Sequence, residues 1–249
     1  MAFSDELLTA GADIWAAQFE HPFVRELAAG DLDKAAFRRW LEQDYRYLSD
    51  YARTYAVAGS KARDETAMAT LLGGADAVLN EELELHRSFA GEYGVAPEEL
   101  AAVRKRPTCE AYTSFLVRTA HERPVPVAVA ALYPCMQGYL DVADHMAGLA
   151  DETHRYTPFI ETYTSEAFRA ETDSMRGLLD DYAEAYPGHR DAMRDAFHRS
   201  ARLELAFWEM AYVGEEWVSE SADGAGQSAG MDAPVEANVT DGANESDGT

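Results

Sequence analysis

The chain has 249 residues, 47% of them hydrophobic, so it can fill a real core, and its 45 acidic against 21 basic residues leave a net charge of −24. That balance excludes binding to a nucleic-acid backbone, which needs clustered Lys and Arg, and reads instead as a surface solvated against high salt, hence an expected halophilic source. Two cysteines without Cys-x-x-Cys spacing exclude a disulfide framework or a zinc finger, and no apolar run approaches the roughly 18 residues of a membrane span.

The first residues, MAFSDELLTAGADIW, show no basic stretch followed by an apolar one, so a cytoplasmic protein with reduced thiols is expected. Ser4 is placed to cap a first helix carrying Leu7, Leu8 and Trp15. The Gly30-Asp31-Leu32-Asp33 turn starts a long helix reaching about Ala62. On it Trp40, Asp44, Tyr47 and Tyr51 recur at steps of four, three and four and share one face. Leu41, Tyr45, Leu48, Ala52 and Tyr55 form an adjoining stripe, so this helix is largely buried. Two readings stand: a core stripe with Asp44 at its solvent edge, or a ligand pocket holding an anionic hydrogen-bond acceptor.

A helix over 64–93 follows, where Glu82 and His86 stand four apart. Asp141 and His145 repeat that spacing further on, as in carboxylate-bridged di-iron bundles. The full inward set of Glu-x-x-His repeats is missing, and His21, His121, His154, His189 and His198 sit mostly near helix ends, so no metal is expected. A metal-dependent oxidase using Glu82, His86, Asp141 and His145 is the alternative. Cys109 opens the helix over 108–122, a position that can lower a thiol pKa.

In the helix over 125–149, the stretch LYPCMQGY puts Cys135 and Tyr139 on one face. Pro134 removes a backbone donor and disturbs the Ala130 carbonyl, so a kink or widened turn is expected there. Cys135 either packs as a small hydrophobe or stands as a thiol lifted into a cavity. Helices over 156–171, 173–185 and 189–214 complete the set, separated by turns rich in Pro and Gly. On the last, Phe197, Ala201, Glu204, Phe207, Trp208 and Ala211 lie on one side. Glu204 either pairs with Arg199 or Arg202 on its own helix, or is a second inward carboxylate whose burial suits it to proton transfer.

No alternating strands appear, so residues 1–217 read as an all-α bundle. Residues 218–249 contain no Lys, Arg or aromatic residue and read as a disordered acidic low-complexity tail.

Five pieces in this order, HPFVRELAAGDLDKAAFRRWLEQDYRYLSDYARTYA (21–56), ELELHRSFAGEYGV (82–95), PCMQGY (134–139), FIETYTSEAF (159–168) and RLELAFWEMAY (202–212), resemble the TenA/thiaminase II family, also called aminopyrimidine aminohydrolases. That family adopts the heme-oxygenase-like all-α fold, and the resemblance makes 1–217 its catalytic domain. It implies a cofactor-free hydrolase acting through a covalent cysteine adduct in thiamine salvage or degradation. The reaction is either cleavage of thiamine into hydroxymethylpyrimidine and thiazole halves or deamination of an aminomethyl aminopyrimidine. The resemblance makes Cys135 the nucleophile, Glu204 the group that handles the proton at the ring nitrogen, and Tyr47 the hydrogen-bond partner of the cysteine. Asp44 holds the aminopyrimidine, Tyr139 and Tyr163 contact substrate, and Tyr112 is a pocket tyrosine. A flat ring does want aromatic partners, and an amino group beside a ring nitrogen wants a carboxylate. The resemblance further implies a homotetramer with dihedral symmetry, and any regulatory effect is indirect, because direct DNA binding conflicts with the charge. Where the family often has a tryptophan two residues after the cysteine this chain has Gln137, and Met136 replaces a small residue or proline, so both are expected to reshape the pocket.

Overall fold

A computed structural model of the chain describes residues 1–149 and 153–218. Among the described residues twelve α-helices run in the order α1 (Phe3–Ala10), α2 (Ala12–Phe19), α3 (Pro22–Ala29), α4 (Lys34–Lys61), α5 (Glu65–Ala77), α6 (Leu83–Glu92), α7 (Pro97–Ala102), α8 (Pro107–Glu122), α9 (Val125–Leu149), α10 (Thr157–Tyr163), α11 (Glu166–Ala185) and α12 (Arg190–Val213). No strand occurs among the described residues, so the all-α expectation holds. The expected tail, apart from Val218, lies outside the described residues, and so do the residues 150–152 between α9 and α10.

Local chemistry sets most of the boundaries. Asp33 accepts from the Ala35 amide at 2.8 Å and Asp64 from the Ala67 amide at 2.7 Å, so short acidic caps start α4 and α5. Pro22, Pro97 and Pro107 occupy first-turn positions where no amide is needed. Gly30 closes α3 with a positive φ of 80°, and a Cβ there would come within 2.8 Å of the His154 ring, so only glycine suits this corner.

Several boundaries differ from the expectation: the first helix is two, with Trp15 on α2 after Gly11, and α11 runs unbroken through the expected break at 171–173. Ser4 is not a cap: it lies inside α1, fully buried, and its amide and hydroxyl both donate to the Asp180 carboxylate of α11, at 2.7 and 2.9 Å. Asp180 therefore satisfies the amide that a local cap would have satisfied. The expected helix over 64–93 contains a π-turn, Val78–Glu82, between α5 and α6. The expected helix over 156–171 breaks at Thr164 and Ser165, where the Ser165 hydroxyl accepts from the Phe168 amide and starts α11 anew.

Helix α9 is the axis of the bundle. It packs against α12, α11, α10, α4, α8 and α3, and its residues from Val125 to Tyr139 are buried almost without interruption. An all-round apolar helix can only be central. Helix α4 lies across it, flanked by α5, α8 and α12. No helix among the described residues is long and apolar enough to cross a membrane.

Candidate active site

Within the buried run of α9, Cys135 alone is partly open. It lines a small cavity with Asp44, Leu48 and Tyr51 of α4, Glu82 of the π-turn, Met136 and Tyr139 of α9, Tyr163 of α10 and Phe168 of α11. The free space is about 10 Å³, room for about one water. Tyr51, Glu82 and Met136 also line a surface groove of about 330 Å³, so these three side chains stand between the thiol and solvent.

Pro134 causes no widened turn: α9 stays α-helical through it. Its neighbouring carbonyls receive donors from other helices instead. Ser200 Oγ donates to Ala131 O at 2.7 Å and Tyr51 Oη to Leu132 O at 3.0 Å. Tyr55 Oη reaches Met136 Sδ at 2.9 Å. Side-chain donors thus fix the segment that carries the thiol.

Behind Cys135 stands the carboxyl of Glu204, on the buried face of α12. Tyr112 of α8 donates to Glu204 Oε1 at 2.5 Å, and Ser200, one turn before Glu204, meets the same phenol at 2.8 Å. Glu204 is 3% exposed and no arginine among the described residues pairs with it, so the surface-pair reading fails. Burial pushes its pKa up to about 8, against hydrogen bonds from Tyr112 and Cys135 that favour the carboxylate. At neutral pH Glu204 is therefore largely protonated. Burial also raises the Cys135 thiol, the nearby Glu204 raises it further, and Tyr47 works in the opposite direction as a donor aimed at a thiolate. The Tyr47 hydroxyl itself is buried without a partner at ordinary hydrogen-bond geometry among the described residues. Its ring stacks on Tyr51 at 5.3 Å and tilts against Tyr112 at 4.9 Å.

Across the cavity Asp44 is 4% exposed, so it does not sit at a solvent edge. Its Oδ2 meets His86 Nε2 at 2.7 Å, and its Oδ1 receives a longer contact, 3.4 Å, from Tyr139 Oη. That phenol in turn accepts from Trp40 Nε1 at 3.0 Å. His86 Nδ1 lies 2.8 Å from the Glu82 carbonyl, which can only accept, so Nδ1 carries a proton. Burial alone would lower the His86 pKa, but the hydrogen bond and charge of Asp44, with help from Glu82, outweigh it and the net direction is upward. Glu82 is itself pushed up to about 7 by burial, with His86 opposing.

Six of the seven residues expected from the sequence thus lie around the thiol of the seventh, Cys135. Asp44, Cys135, Tyr139 and Tyr163 line the cavity, while Tyr112 and Glu204 form a buried hydrogen-bonded pair behind it, with the Tyr47 ring packed against Tyr112. Tyr139 and Tyr163 face each other with ring centroids 4.8 Å apart. The His86 partnership with Asp44 was not foreseen. The four-residue spacing of Glu82 and His86 serves a ring-to-carbonyl bond within one turn. Asp141 is likewise occupied, accepting from Trp15 Nε1 at 2.7 Å and Gln137 Nε2 at 2.8 Å, and His145 stacks on Phe19. Among the described residues no three His, Cys, Asp or Glu side chains converge as a ligand set.

Two further expectations are corrected. Gln137 does not shape the pocket: it bridges Tyr133 and Asp141 along another face of α9, accepting from Tyr133 at 2.6 Å, and only Met136 reaches the cavity wall. Cys109 is not activated by its place at a helix start. It is fully buried, and burial pushes its pKa up to about 12 despite the nearby Lys105 ammonium.

A family model described as the TENA/THI-4/PQQC family matches residues 9–214. An aminopyrimidine aminohydrolase of Halalkalibacterium halodurans is 34% identical over 87% of this chain and 98% of its own length. Among solved structures, a TenA homologue protein of P. horikoshii OT3 superposes with a TM-score of 0.80 at 28% identity, covering 86% of this chain and all of its own. A domain with a heme-oxygenase-like fold from Shewanella denitrificans matches at a TM-score of 0.69 and 14% identity, over 84% of this chain and 92% of its own, which bears out the expected fold.

Proposed function

The chain belongs to the TENA/THI-4/PQQC family, and from that membership we propose that it is a cysteine-dependent hydrolase of aminopyrimidines, acting on thiamine or on an aminomethyl aminopyrimidine. The observation that carries the reading is that Cys135 and Asp44, from two different helices, line one aromatic-walled cavity while the carboxyl of Glu204, from a third, stands directly behind the thiol. The name of the 34% identical relative supports the substrate class.

In this reading a flat ring enters between Tyr139, Tyr163 and Tyr51, and its exocyclic amino group donates to Asp44 Oδ1. Glu204 gives its proton to a ring nitrogen, making the ring an electron sink, while the Cys135 sulfur forms a bond to a ring carbon. The thiol proton passes to the carboxylate just formed on Glu204, so thiol and ring nitrogen exchange one proton through a single carboxyl group. The substituent on the exocyclic methylene then departs with its bonding electrons. Water adds to that methylene carbon and gives up one proton to solvent or to the departed amine, the C–S bond breaks with its electrons returning to sulfur, Glu204 returns the thiol's proton to sulfur, and the ring nitrogen returns its own to the Glu204 carboxylate, so thiol and carboxyl are both regenerated. Tyr112 holds Glu204 in place, and Tyr47 stabilises sulfur when it carries negative charge.

The family resemblance supports a homotetramer in the cytoplasm, and the exposed Met68 and Leu72 on α5, with Leu79 on the π-turn, are apolar surface that assembly can cover. The acidic composition supports a halophilic setting and speaks against nucleic-acid partners.

The test is turnover of both substrates by the wild type, Cys135→Ser and Glu204→Gln. Each substitution is expected to lower kcat at least about 100-fold with the fold retained by circular dichroism. Turnover that survives both changes overturns the mechanism.

A further inference from the structure

Asp44 does not stand alone on α4. One of its oxygens is already taken by a fully buried histidine, and the other holds only a long contact of 3.4 Å with Tyr139. We propose that His86 is a positioning residue that holds Asp44 as a carboxylate with a single free acceptor oxygen, Oδ1, and so makes the cavity select rings bearing an exocyclic amino group over their oxo counterparts. This rests on the aminopyrimidine reading above and deepens it, because nothing in that reading requires His86.

The argument begins with the ring nitrogens. Nδ1 faces the Glu82 carbonyl and Nε2 faces a carboxylate oxygen, so both nitrogens look at acceptors. A neutral imidazole has one N–H and can satisfy only one of them. Either His86 is an imidazolium beside ionised Asp44, or the single missing proton sits on Asp44. The titratable groups around the pair are all acids, none of which can supply positive charge beside Asp44, and this favours the first arrangement. Glu82 comes from the π-turn, Glu204 from α12 and Asp44 from α4, while the phenols of Tyr139 and Tyr163 and the thiols of Cys135 and Cys109 face it from α9, α10 and α8. Among these neighbours His86 is the one side chain able to carry positive charge. The imidazolium also keeps its plane, because Trp40 lies 5.5 Å away on one side and the Glu82 carbonyl fixes the other nitrogen.

The consequence is a polarity filter. With Oδ2 saturated, Oδ1 accepts one donor, and a ring amino group displaces the long Tyr139 contact. A ring carbonyl at that position would instead set its lone pairs against a buried carboxylate. A site built to pair with a donor rejects the analogue that lacks it by about 10³-fold or more, because its buried acceptor is left unpaired. If His86 loses its N–H, Oδ2 is left without its donor, the carboxyl is free to rotate, and Oδ1 no longer stands as one fixed acceptor toward the ring, so the preference for a donor over a carbonyl weakens.

The experiment compares wild type, His86→Gln and His86→Leu. Calorimetric titration with the 4-amino and the 4-oxo form of a hydroxymethylpyrimidine gives a selectivity ratio for each protein, and nitrogen NMR of the imidazoles gives the protonation of His86. In the wild type both ring nitrogens of His86 carry protons at pH 7, and the amino ring is preferred by about 10³-fold or more. His86→Leu shrinks that ratio at least tenfold, whereas His86→Gln, whose amide still donates to Oδ2, keeps it within about threefold. A merely structural role would lower both affinities together and leave the ratio intact. An unchanged ratio in His86→Leu, or a singly protonated His86, overturns the proposal alone. Failure of every protein to bind either ring overturns it together with the reading it rests on. If His86→Leu does not fold, the NMR of the wild type and the ratio in His86→Gln still decide.

Discussion

At Glu204 the folded protein holds a carboxyl group that burial pushes up to about 8, far above its value in an unfolded chain. The native state therefore binds a proton that the unfolded state has released between about pH 4.5 and 8, and folding stability must fall as pH rises through that interval. Glu204→Gln keeps an acceptor for Tyr112 and cannot ionise, so its stability should stay flat where the wild type declines. By pH 8 the variant is expected to be more stable by on the order of 3–5 kcal/mol. Denaturant titrations of both proteins at pH 5 and pH 8 check this. The same proton predicts that wild-type kcat declines as pH rises through about 8, because the ring nitrogen then loses its acid. A carboxyl group that destabilises the fold as pH rises is not one that core packing alone would select, which supports the acid role proposed for it. Helical spacing puts Glu204, Cys135 and Asp44 each among large apolar side chains of its own helix but leaves each between a core and a pocket reading, and it is the family resemblance that assigns them to one site. The Asp44 to His86 bond was not legible in sequence, since it joins residues 42 positions apart and no local pattern reports such a pairing. Gln137 was misjudged for a related reason. Its distance from the nucleophile along the chain is two residues, but on a helix two residues turn a side chain to a different face.

Among the elements, the π-turn at Val78–Glu82 does most to build the site. A π-turn accommodates one residue more than an α-helical turn, so everything after it is rotated by roughly 100° relative to an uninterrupted helix. That rotation brings the His86 side chain onto Asp44 and puts Glu82 in the cavity wall. Nothing in the letters VLNEE marks the extra residue, because the helix-forming composition continues through it, so a single helix over 64–93 is what sequence can offer. The break between α10 and α11 hid for a similar reason: Phe159, Ile160, Tyr163 and Phe168 continue an apolar pattern across Thr164 and Ser165, and only the Ser165 cap marks the new start. Deleting Asn80, which is exposed, removes the extra residue and should let the π-turn relax into α-helix with α6 left in phase, whereas inserting one alanine after Asn80 should carry α6 round by about 100°. Far-ultraviolet circular dichroism is expected to stay near wild type in both, while substrate KM stays within about threefold in the deletion and rises by at least about tenfold in the insertion through loss of the His86 contact. An Asn80→Ala control keeps the turn length and should keep KM. An insertion variant with unchanged KM would mean that the turn does not set the phase of His86.

At the scale of the molecule, the all-α arrangement was readable because Pro, Gly and short acidic caps punctuate apolar periodicity almost throughout, but how the ends of helices are tied together was not. The residues after α12 fold back onto the start of α8. Glu215 accepts from the Thr108 amide at 2.9 Å and the Thr108 hydroxyl at 3.1 Å, and Trp217 Nε1 donates to Lys105 O at 2.8 Å. Arg106 closes the same corner on Glu215 O and on Glu216. A carboxylate on the first-turn amides of α8 is favourable for both hydrogen bonding and the helix dipole. Tyr112, one turn further along α8, depends on that anchoring to hold Glu204. The compact unit ends at Trp217, and the residues beyond it have the composition of a segment with too little apolar surface to order itself. A chain ending at Trp217 should therefore keep its Tm within about 2 °C and its kcat/KM within about twofold. Ending it instead at Val213 removes the clasp, and should cost about 2–4 kcal/mol and lower kcat as Tyr112 loosens. Calorimetry and turnover on the two truncated proteins separate these outcomes. Salt supplies the independent control. A net charge of −24 repels itself, so raising salt from 0.1 to 1 M, which shortens the Debye length from about 10 to 3 Å, should raise Tm by several degrees in the full chain and in both truncations. The deficit caused by losing the clasp should persist at high salt, because it comes from short hydrogen bonds at a helix end rather than from diffuse surface charge.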